Sequence, residues 1–254
     1  MLACTPRDFI GASLASEHSD PEIASVLIAY PSLRYEADIR ALVDGDQEIS
    51  IAAASDLGPA EVLEQPTFGD QFRYVYPLQF NMRARETSWF DPGRVRNSDF
   101  MSLLYFSDEA TARASLVTVE HEPTGARFNV TEKRGVACQL QAVLSALGSR
   151  HTPLFENIGG SFNWRTISGT DRLSVHSYGA AIDLNSRLGA YWRWQGHRPG
   201  GVGRFENHFP QDLVLLFERY GFIWGGKWHH YDSMHFEYRP ELIIYARLQA
   251  QRGG

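Results

Sequence analysis

One aspartate and one histidine stand where apolar strand sequence would otherwise run, and each has a second polar residue of this kind shortly before it. In "LSVHSYGAAIDLN", residues 173–185, His176 is followed by Gly179, Ala180 and Ala181, and Asp183 sits between Ile182 and Leu184. If "GAAIDL" is a β-strand, Gly179, Ala181 and Asp183 share one face, and Ala180, Ile182 and Leu184 share the other. The second face is apolar and suits a core. The first is bare except for one carboxylate, which leaves room for something to bind beside it. His176 lies just before the strand, where a loop can fold it over the same space. Neutral imidazole and carboxylate both ligate Zn²⁺ at about 2.0–2.2 Å, so the pair is a start to a zinc site.

A catalytic zinc takes three protein ligands and keeps one position open. The third donor is sought in "KWHHYDSMHFEYRP", residues 227–240. His235 lies between Met234 and Phe236, so in a strand it points away from both, onto a polar face. Asp232 is close enough in sequence to share the site without being a ligand. His229 and His230 compete for the third position. His230 has the opposite strand parity to His235 and ranks behind it, as a supporting group. His197 and His208 lie in polar, loop-like sequence and read as solvated. The alternatives to ligation are a core histidine bonded to a backbone carbonyl for His235, and a helix cap or ion pair for Asp183.

These residues need elements to carry them. Val136, Leu140, Val143, Leu144 and Leu147 recur at helical spacing and stop at Gly148, which predicts a buried helix. "PQDLVLLFERYG" predicts a second helix behind Pro210, and "PELIIYARLQA" a closing helix with Pro240 in its first turn. "SLVTVEHEPTGARFNVT" alternates on both sides of "PTG" and predicts a β-hairpin. "FIW" and "MHFEY" read as short strands around a "GG" turn. Upstream, "VLIAYPSLRYEADIRALVDGDQEISIAA" reads as short strands with "DGD" as a turn, and "DPGRVRNSDFMSLLYF" as a turn into a short helix. No βαβ rhythm is present. The expected fold is α+β: a small antiparallel sheet flanked by helices carries the zinc site, after an N-terminal extension of mixed short strands and helix. The expected division is an extension over residues 1–105 and a catalytic domain over 106–254.

Composition narrows the partners. The chain has 254 residues and a formal net charge of −6, without a run of Lys and Arg. Nucleic acid binding, which needs a basic face, is not expected. No apolar run reaches the length of a membrane span. The N-terminus, "MLACTPRDFIGASLASEHSD", has no basic start followed by an apolar core and is not read as an intact signal peptide. The two cysteines, Cys4 and Cys138, cannot make a disulfide framework. Cys138 reads as a small core residue, and a bridge to Cys4 is open.

"SVHSYGAAID", followed by "GFIWGGKWHHYDSMHFEYRPEL", resembles the VanY-type D-alanyl-D-alanine carboxypeptidase and L-alanyl-D-glutamate endopeptidase family of zinc peptidases. The family pattern S-x-H-x-x-G-x-A-x-D, with a later D/E-x-x-H, is matched by Ser174, His176, Gly179, Ala181 and Asp183, then by Asp232 and His235. The paired motif is far more specific than either half. The likeness is strong over about residues 135–247. "SFNWRTISGTDRLSVHSYG" also resembles the family's lead-in, where Arg165 fits an arginine that precedes the first ligand.

The resemblance implies that His176, Asp183 and His235 hold Zn²⁺, that Asp232 is the general base and acid, and that Arg165 stabilises the oxyanion. It also implies that Ser174 and His230 support ligands or orient substrate, and that Trp224, Trp228 and Tyr231 wall the cleft, unless these aromatics are core. The expected substrate is a peptidoglycan stem peptide, met in the cell envelope, the periplasm or outside the cell. A rival reading is a zinc-bearing wall-binding or signalling module without catalysis. Such a module should lack a carboxylate three residues before the last ligand, and Asp232 is there. In a second rival reading the His and Asp residues are merely structural.

Overall fold

The computed structural model describes residues 4–167 and 170–253. Ser168 and Gly169 of the lead-in, Met1–Ala3 and Gly254 lie outside the described residues. The elements are mixed α and β, with antiparallel sheets, as the sequence predicts.

Helix α1 (Pro21–Ala29) comes first. The strand expected from Val26 onward is helix as far as Ala29. The helix wins because "SDPE" starts it well: Asp20 accepts hydrogen bonds from the backbone N–H of Glu22 and Ile23, and Pro21 occupies the first turn. Its buried side chains, including Ile23 and Val26, pack on the C-terminal helix α7 (Pro240–Arg252). Strands β1 (Arg34–Glu36), β2 (Ala41–Asp44) and β3 (Gln47–Ser50) then form a small antiparallel meander with the "DGD" turn between β2 and β3. Short helices α2 (Pro59–Glu64), α3 (Ser98–Leu104) and α4 (Glu109–Ala114) follow.

The hairpin predicted around "PTG" is β4 (Leu116–His121) and β5 (Ala126–Thr131). Helix α5 (Val136–Leu147) buries the five apolar residues that predicted it and is capped by Gly148. The sheet that matters for chemistry is four-stranded and antiparallel. Its members are β6 (Ile158–Gly160), β7 (Ala181–Asn185), β8 (Phe222–Trp224) and β9 (His235–Tyr238), in the order β6-β7-β9-β8. Helix α6 (Gln211–Arg219) leads into β8. Phe217 of α6 packs on Phe236 of β9, with ring centroids 4.2 Å apart.

Residues 70–97 wrap the loop between β8 and β9. Arg85 Nε donates to the Trp228 carbonyl at 3.2 Å, and the His229 N–H donates to the Phe90 carbonyl at 2.7 Å. Lys227 of that loop is buried and donates to the Pro77 carbonyl at 2.6 Å and to Glu218 at 2.5 Å. Removing one member of a buried ion pair of this kind costs about 3–5 kcal/mol, so the loop is firmly seated. One apolar core runs through both the N-terminal and C-terminal parts of the chain, from Phe9 and Val26 to Ile243 and Ile244.

Cys4 and Cys138 form a disulfide, with Cα atoms 5.9 Å apart. Cys138 is therefore a crosslink and not simply a small core residue. The bridge joins positions 134 residues apart. By the loop-closure relation, restricting the unfolded chain over so long a loop is worth roughly 5 kcal/mol.

Candidate active site

The register of two strands builds the centre of the site. Asp183 of β7 stands directly opposite His235 of β9, and Ile182 stands opposite Phe236 on the core side. Side chains alternate along a strand, so the polar pair faces one way and the apolar pair the other. His176 arrives on a tight turn, Val175–Tyr178, that begins at Ser174. Gly179 closes that turn with φ of +66°, and a Cβ there would come within 2.9 Å of the Thr131 backbone nitrogen. Only glycine fits both the conformation and the space. His176, Asp183 and His235 thus offer one donor atom each, all lying within 4.8 Å of one another.

Each imidazole is held from behind. His176 Nδ1 donates to the Ser161 carbonyl at 2.6 Å, and His235 Nε2 is 2.9 Å from the Glu237 carboxylate. In the neutral rings these contacts keep the proton on the outer nitrogen and turn a lone pair inward, as in metal sites. The inner atoms, His176 Nε2 and His235 Nδ1, are 3.2 Å apart, and Asp183 lies 3.3 Å from the first and 2.9 Å from the second. Two imidazole nitrogens and a carboxylate converging in this way suit a divalent cation, zinc above all.

Charge is concentrated at the same place. Burial works against the Asp183 carboxylate, but His176 and His235 outweigh it and hold its pKa well below the usual range. Burial likewise pushes His235 down, yet its hydrogen bonds to Asp183 and Glu237 raise it to about 9. Glu237 is kept ionised, against its burial, by Arg96, which grips it with contacts of 2.5 and 3.1 Å. Glu237 and Arg96 therefore fix the orientation of His235.

The three donors line a cleft of about 280 Å³ together with Asp232, Arg165, Ser174 and Trp228. Asp232 sits on the loop before β9. A Cβ on Gly225 would come within 2.5 Å of the Asp232 carbonyl oxygen, so glycine at 225 lets this loop close up. Burial first, and the neighbouring Asp183 charge second, raise the Asp232 carboxyl to about 6. Its Oδ1 is buried with no hydrogen-bond partner among the described residues. Such an atom is a ready acceptor for a proton near neutral pH. Arg165 is exposed at the cleft and makes no ion pair among the described residues. Trp228 packs its ring near His235, with centroids 5.6 Å apart.

Other predicted residues lie elsewhere. His230 faces a neighbouring cavity. Its backbone N–H and Nδ1 bond Asp91 at 2.8 and 2.6 Å, and its Nε2 accepts from the Gly200 N–H at 2.8 Å. Both ring nitrogens are spent, which excludes it from the His176 cluster. Tyr231 is buried against Phe205, bonds Gln195 at 2.9 Å and does not line the cleft. Trp224 is a core residue stacked on Phe80. His229 packs away from the donors, with Nδ1 2.9 Å from the Arg85 carbonyl. Sequence reasoning missed Arg94, Arg96, Tyr191 and Trp194 in the cleft wall. Arg94 and Arg96 come from the N-terminal part, where no local pattern marks them.

Residues 168–238 match the family model described as D-alanyl-D-alanine carboxypeptidase. This segment is similar to that family, in keeping with the resemblance of its paired motif. It holds His176, Asp183, Asp232 and His235, while Arg165 lies just ahead of it. The match supports a peptidase. Neither a curated protein nor a solved structure matches the chain significantly. Among the described residues, no helix is long and apolar enough to cross a membrane.

Proposed function

We propose that the protein is a zinc-dependent peptidase that hydrolyses peptide bonds of the peptidoglycan stem peptide. One observation carries the reading: the inward-facing donors of His176, Asp183 and His235 share a cleft with a buried, unpartnered carboxylate whose pKa is raised to about 6. These three residues would hold the zinc ion. When bound, zinc supplies a Lewis acid for the scissile carbonyl and lowers the pKa of a nearby water. Asp232 takes the attacking water's proton at its carboxylate and returns it to the leaving amine. Arg165 offers fixed positive charge to the oxyanion of the tetrahedral intermediate. Ser174 helps set the turn that carries His176, its Oγ accepting from the His176 N–H at 3.4 Å. The D,D-carboxypeptidase and L,D-endopeptidase types share this machinery.

A cell-envelope, periplasmic or extracellular location is supported by the Cys4–Cys138 disulfide, because such bonds persist in oxidising compartments. The test is digestion of purified peptidoglycan with mass spectrometry of the products. Stem-peptide fragments should appear and should vanish on chelation, then return with zinc. Intact peptidoglycan, or release that survives removal of all metal, overturns the proposal.

Arg165→Ala should lower kcat/KM by roughly 10²–10³, the usual scale for one oxyanion donor, with the thermal midpoint nearly unchanged because the side chain is exposed. An unchanged rate would make Arg165 an ordinary surface cation.

A further inference from the structure

A second cavity, of about 240 Å³, adjoins the cleft and shares Arg94, Arg96 and Ile167 with it as a common wall. Its other walls include Arg172, Trp89 and Trp192. The cavity is built jointly: Trp89, Arg94 and Arg96 come from the N-terminal part, and Arg172 and Trp192 from the peptidase segment. It is also firm. Trp89 and Trp192 pack edge-on to His230, with centroids 5.0 and 4.7 Å away, and His230 is fixed by Asp91 and Gly200.

The cations here are unequally satisfied. Arg96 is neutralised by Glu237. Arg94 spends its Nε on the His230 carbonyl at 2.8 Å, lays its guanidinium over Trp228, and makes no ion pair among the described residues. Arg172 has a buried Nε without a hydrogen-bond partner. Its nearest carboxylate is Glu64, 4.0 Å away on a largely exposed side chain. Burial, and then the charge of Arg96, hold its pKa below the usual arginine value. A half-buried, half-paired guanidinium beside other guanidinium groups gains most from a planar anion that can be gripped by two N–H groups.

We infer that this second cavity is a subsite for a free carboxylate on the substrate, bound by Arg172 and Arg94 and flanked by the two indoles. The inference rests on the peptidase reading, and it adds the substrate class: a stem peptide whose branch carboxylate, near the scissile bond, is not amidated.

The test uses two stem-type peptides, identical except that the α-carboxylate of the D-glutamyl residue is free in one and amidated in the other. Affinity is measured by calorimetry on the metal-loaded protein, and kcat/KM on the same pair. The native protein should favour the free form by about 10–100-fold, the range of a charge-assisted pair. Arg172→Gln should bring the ratio close to one, and Arg172→Lys should restore part of it. Glu64→Gln, at an exposed position, removes the competing anion and should raise the ratio about two- to fivefold. A native ratio near one overturns the subsite, as does a ratio that neither Arg172→Gln nor Glu64→Gln changes. If neither peptide is cleaved, the peptidase reading fails on its own, and the calorimetric ratio still decides the subsite.

Discussion

His235→Ala should cost the protein its metal and its activity together. The substitution removes the inward Nδ1, leaving His176 and Asp183 as a two-donor site, which holds zinc poorly. The fold should survive, because Glu237, the buried group behind the ring, keeps its contacts to Arg96 and Arg239. Metal analysis after gel filtration should fall from close to one zinc per chain to near none, and peptidoglycan hydrolysis should fall with it. His176→Ala should do the same. His208→Ala, at an exposed position, and His197→Ala, whose ring bonds Gln195 at 2.9 Å, should keep full metal content. His230→Ala should also keep the metal, since that ring is committed to Asp91 and Gly200. Stoichiometric zinc in His235→Ala with loss in His230→Ala would reverse the choice of third ligand.

Asp232→Asn should separate chemistry from binding. The amide keeps the size and shape of the carboxylate but cannot accept the water's proton. Zinc occupancy and stem-peptide affinity should persist, while kcat falls by about 10²–10⁴, the usual contribution of general acid–base catalysis. The pH profile gives a second reading of the same residue. A base must be ionised to act, so kcat/KM should fall as pH drops through the carboxyl pKa. Burial and Asp183 raise that pKa to about 6. A bound cation favours the ionised form, so the acid limb should lie at or below about pH 6, and the asparagine variant should lose it. Zinc lost along with activity would make Asp232 a ligand. An unchanged rate with zinc retained would move the base away from Asp232. A native protein that binds zinc and stem peptide but never cleaves would be a wall-binding module.

The centre of the site was legible because it depends on short-range geometry. Side chains alternate along a strand, so Asp183 between Ile182 and Leu184, and His235 between Met234 and Phe236, had to face away from the core if those segments were strands. Helical periodicity and Gly or Pro punctuation marked α5, α6 and α7 in the same local way. The register that sets Asp183 opposite His235 is a pairing across 52 residues, and no local pattern encodes it. Strand parity already ranks His230 behind His235 in sequence. The folded chain adds a physical reason, because Asp91 takes up one nitrogen of His230 and the Gly200 N–H the other. The Arg96–Glu237 clamp behind His235 and the Arg94 wall also depend on the distant residues 70–97. The Cys4–Cys138 bridge was open in sequence for the same reason: proximity across 134 residues is a property of the folded chain. Sequence determined which residues could do chemistry, through spacing and side-chain type. Tertiary structure decided which of them meet, because long-range contacts are fixed by how whole elements bury their apolar faces and satisfy buried charge.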